Sequence, residues 1–230
     1  MVDVAGNYRT IISRINETAA KTGREPGAVK LLAAAKAQSV ERIRAAVTLG
    51  VKLVGENYVQ EAQEKKPQVA RSVEWHMIGH LQRNKVRVAV DLFDVIESLD
   101  SAVLARELDK EGSKREKIIR TFVEVNLGGE ESKSGIAKNQ VKNLLEEVAK
   151  LPHVAVEGLM TVPPFRENPE DARCFFRDLA ELREQLVKLR LPNADLRELS
   201  MGMTHDYPVA IQEGATIVRI GTALFGPREN

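Results

Sequence analysis

The sequence predicts an α/β fold: a TIM-type (β/α)8 barrel forming a single domain over residues 1–230, with an extra helix at its N-terminus. Three observations carry this. Short apolar runs alternate with amphipathic helical stretches along the whole chain. About eight such runs can be counted, which is the number that closes a barrel. Several runs are apolar on both faces, as buried strands of a parallel sheet must be. A doubly wound open sheet is the alternative that the count alone leaves standing.

Taken in order, Val4, Tyr8, Ile11, Ile12, Ile15 and Ala19 recur at helical spacing and give the extra helix. Thr22-Gly23 and Pro26-Gly27 end it and turn the chain into a first strand, Val29 to Ala35, which closes on Lys36. Ser39 is the N-cap of a helix whose buried stripe is Val40, Ile43 and Val47 and whose end is Gly50. The pattern repeats as strand Lys52–Val54 and helix Val59–Ala70, then strand Glu74–Ile78 and helix Arg83–Val90. Strand Phe93–Glu97 precedes a helix marked by Val103, Leu104 and Leu108. Strand Lys117–Asn126 precedes one marked by Val141, Leu144, Leu145 and Val148. Strand Val154–Leu159 leads to a long helix, Pro169–Arg190, and strand Leu196–Leu199 to helix His205–Glu213. Thr216–Ile220 is the eighth strand, and Thr222–Phe225 a short closing helix.

Composition narrows the function. Hydrophobic residues make up 43% of the chain, enough for a large core, and the net charge is +1. A near-neutral chain gives no case for nucleic acid or a membrane surface as partner. The single cysteine, Cys174, rules out an intramolecular disulfide and fits a reducing cytoplasm. The N-terminus lacks a signal peptide's basic and apolar regions, and no apolar run is long enough to span a bilayer.

In a barrel, function gathers where strands end. The first such position is the most unusual. Strand alternation puts Lys36 on the face of Leu32 and Ala34. A lysine closing an apolar run either snorkels to solvent or, where water is scarce, has a nucleophilic amine able to form a Schiff base. Other strand ends offer Glu56-Asn57, Gly79-His80, Asn126 and Met160-Thr161. The last two, Ser200-Met201-Gly202-Met203-Thr204 and Arg219-Ile220-Gly221-Thr222, combine hydroxyls with glycines that let backbone N–H groups approach a ligand. That is where barrels often hold a phosphate. Thr204 as an ordinary N-cap is the plainer reading. Arg219 shares the inward face of Ile217, so it needs a partner: a carboxylate such as Glu198, or the ring nitrogen of a cofactor. Asn57 either caps the following helix or contacts a ligand. His76 and His80 lack an acidic cluster and make a poor metal pair. Trp75 reads as core, and Glu130 to Gly135 as a solvated loop. No Ser-His-Asp grouping, Walker loop or Rossmann fingerprint occurs.

An ordered set of short segments carries a resemblance. These are Leu31-Leu32-Ala33-Ala34-Ala35-Lys36, Gly55-Glu56-Asn57-Tyr58-Val59-Gln60-Glu61, and Trp75-His76-Met77-Ile78-Gly79-His80-Leu81-Gln82-Arg83-Asn84-Lys85. Ser132-Lys133-Ser134-Gly135, Gly158-Leu159-Met160, Ser200-Met201-Gly202-Met203 and Val218 to Gly226 complete it. Nearly the whole chain resembles the pyridoxal phosphate homeostasis proteins, single-domain relatives of the alanine racemase N-terminal barrel. The resemblance implies pyridoxal 5'-phosphate as cofactor, carried as a Schiff base on Lys36. It implies Arg219 at the pyridine nitrogen, Ser200, Thr204, Gly221 and Thr222 around the phosphate, and Asn57 beside the cofactor. The chain departs from the usual pattern conservatively: Ala34-Ala35 replaces Val-Ser, Thr204 a serine and Leu224 an isoleucine. At Thr204 the hydroxyl is kept and only its reach changes.

Two functions fit a cofactor-loaded lysine. One is a carrier that keeps the reactive aldehyde low and takes part in intracellular cofactor homeostasis. The other is an amino-acid racemase or related enzyme. The resemblance implies that racemases of this type add a β-rich domain whose tyrosine serves as second base. Here the barrel uses the whole chain, and Tyr8, Tyr58 and Tyr207 all lie within it. The carrier is the reading favoured, as a monomer, with the cofactor its small-molecule partner.

Overall fold

Strand pairing closes on itself. The computed structural model describes residues 2–130 and 134–227. In chain order the strands are β1 (Lys30–Ala34), β2 (Leu53–Glu56), β3 (Glu74–Met77), β4 (Val95–Leu99), β5 (Ile119–Asn126), β6 (Ile136–Ala137), β7 (Val154–Met160), β8 (Ala194–Met203) and β9 (Ile217–Ile220). Every pairing is parallel, in the order β4-β3-β2-β1-β9-β8-β7-β5, and a further β4–β5 pairing completes the ring. The barrel alternative holds and the open sheet falls. The two-residue β6 is an unexpected addition, paired to the last residues of β5.

Helices surround the ring: α1 (Val4–Lys21), α2 (Val40–Thr48), α3 (Val59–Lys65), α4 (Val86–Leu92), α5 (Ala102–Lys114), α6 (Val141–Val148), α7 (Arg173–Val187), α8 (Tyr207–Gln212) and α9 (Thr222–Phe225). With only four residues, α9 cannot cover the wall beside β9. Helix α1 packs on α8, α9 and α2, and so takes the ring position left open. Its start is fixed by Asp3, which accepts the Gly6 N–H at 2.8 Å. Asn7 donates to the Leu224 carbonyl at 3.0 Å and ties the two ends of the chain together.

Boundaries moved where local chemistry intervened. Pro67 cannot continue a helix, so α3 stops at Lys65 and a 3-10 turn follows. The long helix expected from Pro169 begins as a 3-10 turn over Pro169–Ala172, and α7 ends at Val187. Strand β4 starts two residues later than expected, because the Phe93 N–H still bonds the Ala89 carbonyl at the end of α4. Strand β8 is far longer than its apolar core Leu196–Leu199, and contains a register shift beside Leu196, at φ 50°. Strand β1 ends at Ala34, so Lys36 sits in the turn after it.

Strand alternation sorts the core into two bodies. Leu31, Ala33 and Ala35 of the β1 segment pack outward against helices in the large cluster between wall and ring. Leu32, Leu53, Val95, Phe122, Met160 and Ile217 pack on one another inside the barrel, with Ile78 against them. Trp75 is core, 1% exposed. Charges close the amino-terminal mouth: Lys30 pairs with Glu198 at 2.6 Å, and Arg120 with Glu74 at 2.7 Å and Glu157 at 2.9 Å. Beyond the apolar layer, towards the strands' carboxyl ends, the interior turns polar.

Candidate cofactor site

Lys36 lies two residues past β1, half-buried. Its turn is held from α3. The Ala37 N–H donates to Glu61 Oε2 at 2.9 Å. The Lys65 ammonium donates to the Ala35 carbonyl at 2.9 Å, to Glu56 Oε1 at 2.8 Å and to Glu61 Oε2 at 2.5 Å. Glu56 is fully buried, and burial pushes its carboxyl up to about 7 although Lys65 opposes this. Partial burial also acts against ionisation of Glu61, but Lys65 and the Ala37 N–H outweigh it, helped by the nearby charge of Lys36. The lysine therefore stands on a cross-linked turn.

Asn57 follows β2, and Gly79 follows β3. A Cβ on Gly79 would lie 2.5 Å from the Asn57 carbonyl oxygen, so only glycine lets these two strand ends close up. Asn57 does not cap α3; Tyr58 stands at that position, with no side-chain cap bond. Asn57 lines a cleft of about 390 Å³ together with Gly79, His80, Leu81 and Lys85.

The ends of β8 and β9 meet, as neighbouring strands must. Gly202 has φ 88°, and a Cβ there would fall 2.5 Å from that of Ala210, so the chain can turn into α8 only with glycine. Asp206 is the residue before α8, and its carboxylate accepts the Met203 N–H at 2.7 Å. Thr204 is thus not the N-cap. Its hydroxyl instead accepts the Ala223 N–H at 3.3 Å, from the turn that also holds Gly221 and Thr222. That bond brings the end of β8 against the turn before α9.

Arg219 is 4% exposed and points into the polar end of the barrel. It donates from Nη1 to Ser200 Oγ and from Nη2 to the Thr161 carbonyl, both at 2.7 Å. Burial pulls its pKa down, against the carboxylates of Glu97, Glu124 and Asp206. Two expectations change here. Glu198 is not its partner: it bonds Lys30 and Thr216 at the opposite mouth, because β8 residues two apart share a face but differ in depth. Nor does the Ser200 hydroxyl face the phosphate end. Fully buried, it donates to Glu97 Oε2 at 2.6 Å while accepting from Arg219, so it lies beneath the arginine. The structure brings together Lys36, Asn57, Thr204, Arg219, Gly221 and Thr222 at one end of the barrel. Of the loop read as solvated, Glu131, Ser132 and Lys133 lie outside the described residues.

The family profile described as alanine racemase, N-terminal domain, matches residues 7–229. A pyridoxal phosphate homeostasis protein of Aquifex aeolicus (strain VF5) is 46% identical over 220 residues, 95% of this chain and 96% of its own. The chain belongs to the pyridoxal phosphate homeostasis protein family. Among solved structures, PipY of Synechococcus elongatus PCC7942, described with PLP bound, has a TM-score of 0.81 at 34% identity, over 92% of this chain and 100% of that one. Alanine racemase from Corynebacterium glutamicum shares the fold, with a TM-score of 0.67 at 19% identity, over 99% of this chain but 61% of the racemase.

Within this family member, sequence reasoning missed the buried acids. Glu97 and Glu124 sit on the inward faces of β4 and β5, where alternation alone could have placed them beside Arg219. Burial, with Asp100 and Glu97 nearby, pushes the Glu124 carboxyl up to about 7, against Arg219. Its Oε2 has no hydrogen-bond partner among the described residues. A carboxyl whose folded pKa exceeds its unfolded one gives stability that is whole below about 4.5 and lost as pH rises through about 7. Glu124→Gln should therefore stabilise the apo-protein at pH 8, on the order of 2 kcal/mol, or several degrees in Tm. The gain should shrink towards pH 4.5. Thermal unfolding of both proteins across that range checks this; a pH-independent difference would show that Glu124 does not titrate as described.

Proposed function

We propose that this chain binds pyridoxal 5'-phosphate covalently through Lys36 and acts in the homeostasis of that cofactor, in the cytoplasm and as a monomer. The observation that carries the reading is that three chemistries stand at the same end of the barrel. They are an amine on a fixed turn, a buried guanidinium, and a group of hydroxyls and N–H donors. This donor set fits the cofactor. The cofactor would supply an aldehyde for the amine, a ring nitrogen for the guanidinium and a phosphate for the donors.

Each residue then has a task. The α3 cluster holds the Lys36 turn in place, with Glu61 kept ionised by Lys65 and the Ala37 N–H. Thr204, Gly221 and Thr222 bind the phosphate, and Asn57 borders the ring. Arg219 only donates and stays charged, so the ring nitrogen facing it remains unprotonated. Such a ring is a weak electron sink, which favours carriage over carbanion chemistry. The tyrosines are poorly placed as a second base. Tyr8 packs by Gly50, Tyr207 is buried beside Arg14, and Tyr58 is 62% exposed. No helix among the described residues is long and apolar enough to cross a membrane.

The test is a visible spectrum of the protein incubated with pyridoxal 5'-phosphate, followed by addition of L- or D-alanine with the stereochemistry followed in time. A yellow protein that leaves both enantiomers unchanged supports carriage. Catalytic interconversion would move the reading to a racemase, and a protein that stays colourless would end it.

A further inference from the structure

The polar layer inside the barrel contains more than a cofactor ligand. Arg219, Ser200, Glu97 and His76 come from β9, β8, β4 and β3, and are 4%, 0%, 0% and 2% exposed. They form one continuous chain of hydrogen bonds. Arg219 Nη1 donates to Ser200 Oγ at 2.7 Å, Ser200 donates to Glu97 Oε2 at 2.6 Å, and Glu97 Oε1 lies 2.6 Å from His76 Nδ1. Beyond His76, its Nε2 faces Glu74 Oε1 at 3.4 Å, and Glu74 accepts from Arg120 at 2.7 Å. Charge alternates along this line from the cofactor end of the barrel to its opposite mouth.

Donor accounting fixes every direction in it. An arginine can only donate, so Ser200 must accept from it. The one hydroxyl proton then needs an acceptor, and Glu97 provides it. A carboxylate only accepts, so the proton between Glu97 and His76 belongs to Nδ1. The groups facing His76 are Glu74 on its own strand, Glu97 on β4, and the edge-on ring of Phe122 on β5, at 6.2 Å. Although burial opposes the charge, the two carboxylates raise the imidazole to about 9. Glu97 is thereby held from both sides.

We propose that Glu97, held by His76, is a positioning residue: through the Ser200 hydroxyl it orients Arg219 so that its remaining N–H groups point at the ring nitrogen of the cofactor. This rests on the function proposed above. Two of the five guanidinium N–H groups are taken by Ser200 and Thr161, which sets the plane of the group and with it the direction of the others. Remove the carboxylate and the Ser200 proton has no acceptor, the hydroxyl is free to turn, and the arginine loses its stop.

The test is a binding cycle with two ligands, pyridoxal 5'-phosphate and its 1-deaza analogue, in which a C–H replaces the ring nitrogen. Both are titrated into the wild-type chain, Glu97→Leu, Ser200→Ala and His76→Gln at one pH, with circular dichroism as the folding check. The wild type should prefer the cofactor over the analogue by at least ~10-fold, as for a hydrogen bond to a charged donor. Glu97→Leu and Ser200→Ala should lose most of that preference while binding of the analogue changes little, and His76→Gln should lose part of it. In the apo-protein, the His76 imidazole should stay protonated by NMR at pH 8 in the wild type and titrate below that in Glu97→Leu. A full preference persisting in both Glu97→Leu and Ser200→Ala overturns the positioning role and leaves the cofactor site standing. Equal wild-type affinity for the two ligands also overturns it. A wild-type chain that takes up neither removes the functional reading itself. Should Glu97→Leu fail to fold, Ser200→Ala decides alone, since it deletes one oxygen and leaves the two charges in place.

Discussion

Lys36→Ala is expected to abolish the covalent adduct with pyridoxal 5'-phosphate and to weaken binding about 100-fold, ~3 kcal/mol. The measurement is mass spectrometry after borohydride reduction: a pyridoxyl group on Lys36 in the wild type and none in the variant. Lys65 lies against the turn that bears Lys36, and the structure separates the two. Lys65 is 8% exposed and spends its ammonium on three acceptors, Ala35, Glu56 and Glu61. An ammonium so bonded has no lone pair to offer. Lys36 stands on the turn those bonds hold, on the inward-facing phase of the first strand. Residual binding in the variant would come from Arg219 and from the donors at Thr204 and Thr222. A reduced adduct on any other lysine of the wild type would refute the assignment.

Lys65→Met should destabilise the apo-protein by about 3–5 kcal/mol at pH 8, the cost of stranding a buried charge. Glu56 is the charge in question, fully buried, with one carboxylate oxygen already lacking a partner among the described residues. Its folded pKa, about 7 even with Lys65 present, is above the unfolded value, so its share of stability is whole below about 4.5 and lost as pH rises through 7. Without Lys65 that loss deepens, and the variant should be closest to wild type near pH 5 and furthest from it at pH 8. The double variant Glu56→Leu/Lys65→Met removes both charges and should recover most of the stability. Denaturant unfolding at the two pH values gives the numbers. A Lys65→Met deficit equal at both would mean that hydrogen bonds to Ala35 and Glu61, not the Glu56 charge, dominate. The double variant should still bind cofactor more weakly than the wild type, because the Ala35–Ala37 turn has lost its brace.

Much of this protein is legible in one dimension. The alternation of apolar runs and amphipathic helices determines eight parallel strands, and a lysine, an asparagine and a hydroxyl-rich pair of segments follow those strands because the pattern says where each strand stops. The inward phase of Leu32 and Arg219 is likewise fixed by a period of two. Closure is another matter. The β4–β5 pairing joins residues far from the chain ends, and α1 finds its place only because α9 is too short to fill it. The polar layer needed the closed barrel most of all. His76, Glu97, Ser200 and Arg219 are separated along the chain by 21, 103 and 19 positions, and no local pattern relates them. Curvature of the sheet brings four strands to one axis, where an inward side chain from each meets the others. There, desolvation favours pairing of donor with acceptor, and His76 Nδ1, Ser200 and Arg219 each find one. The sequence by itself determined which residues face inward at which strand ends; only the tertiary structure decided which of them touch, because contact across a barrel depends on strand stagger and depth rather than on spacing along the chain.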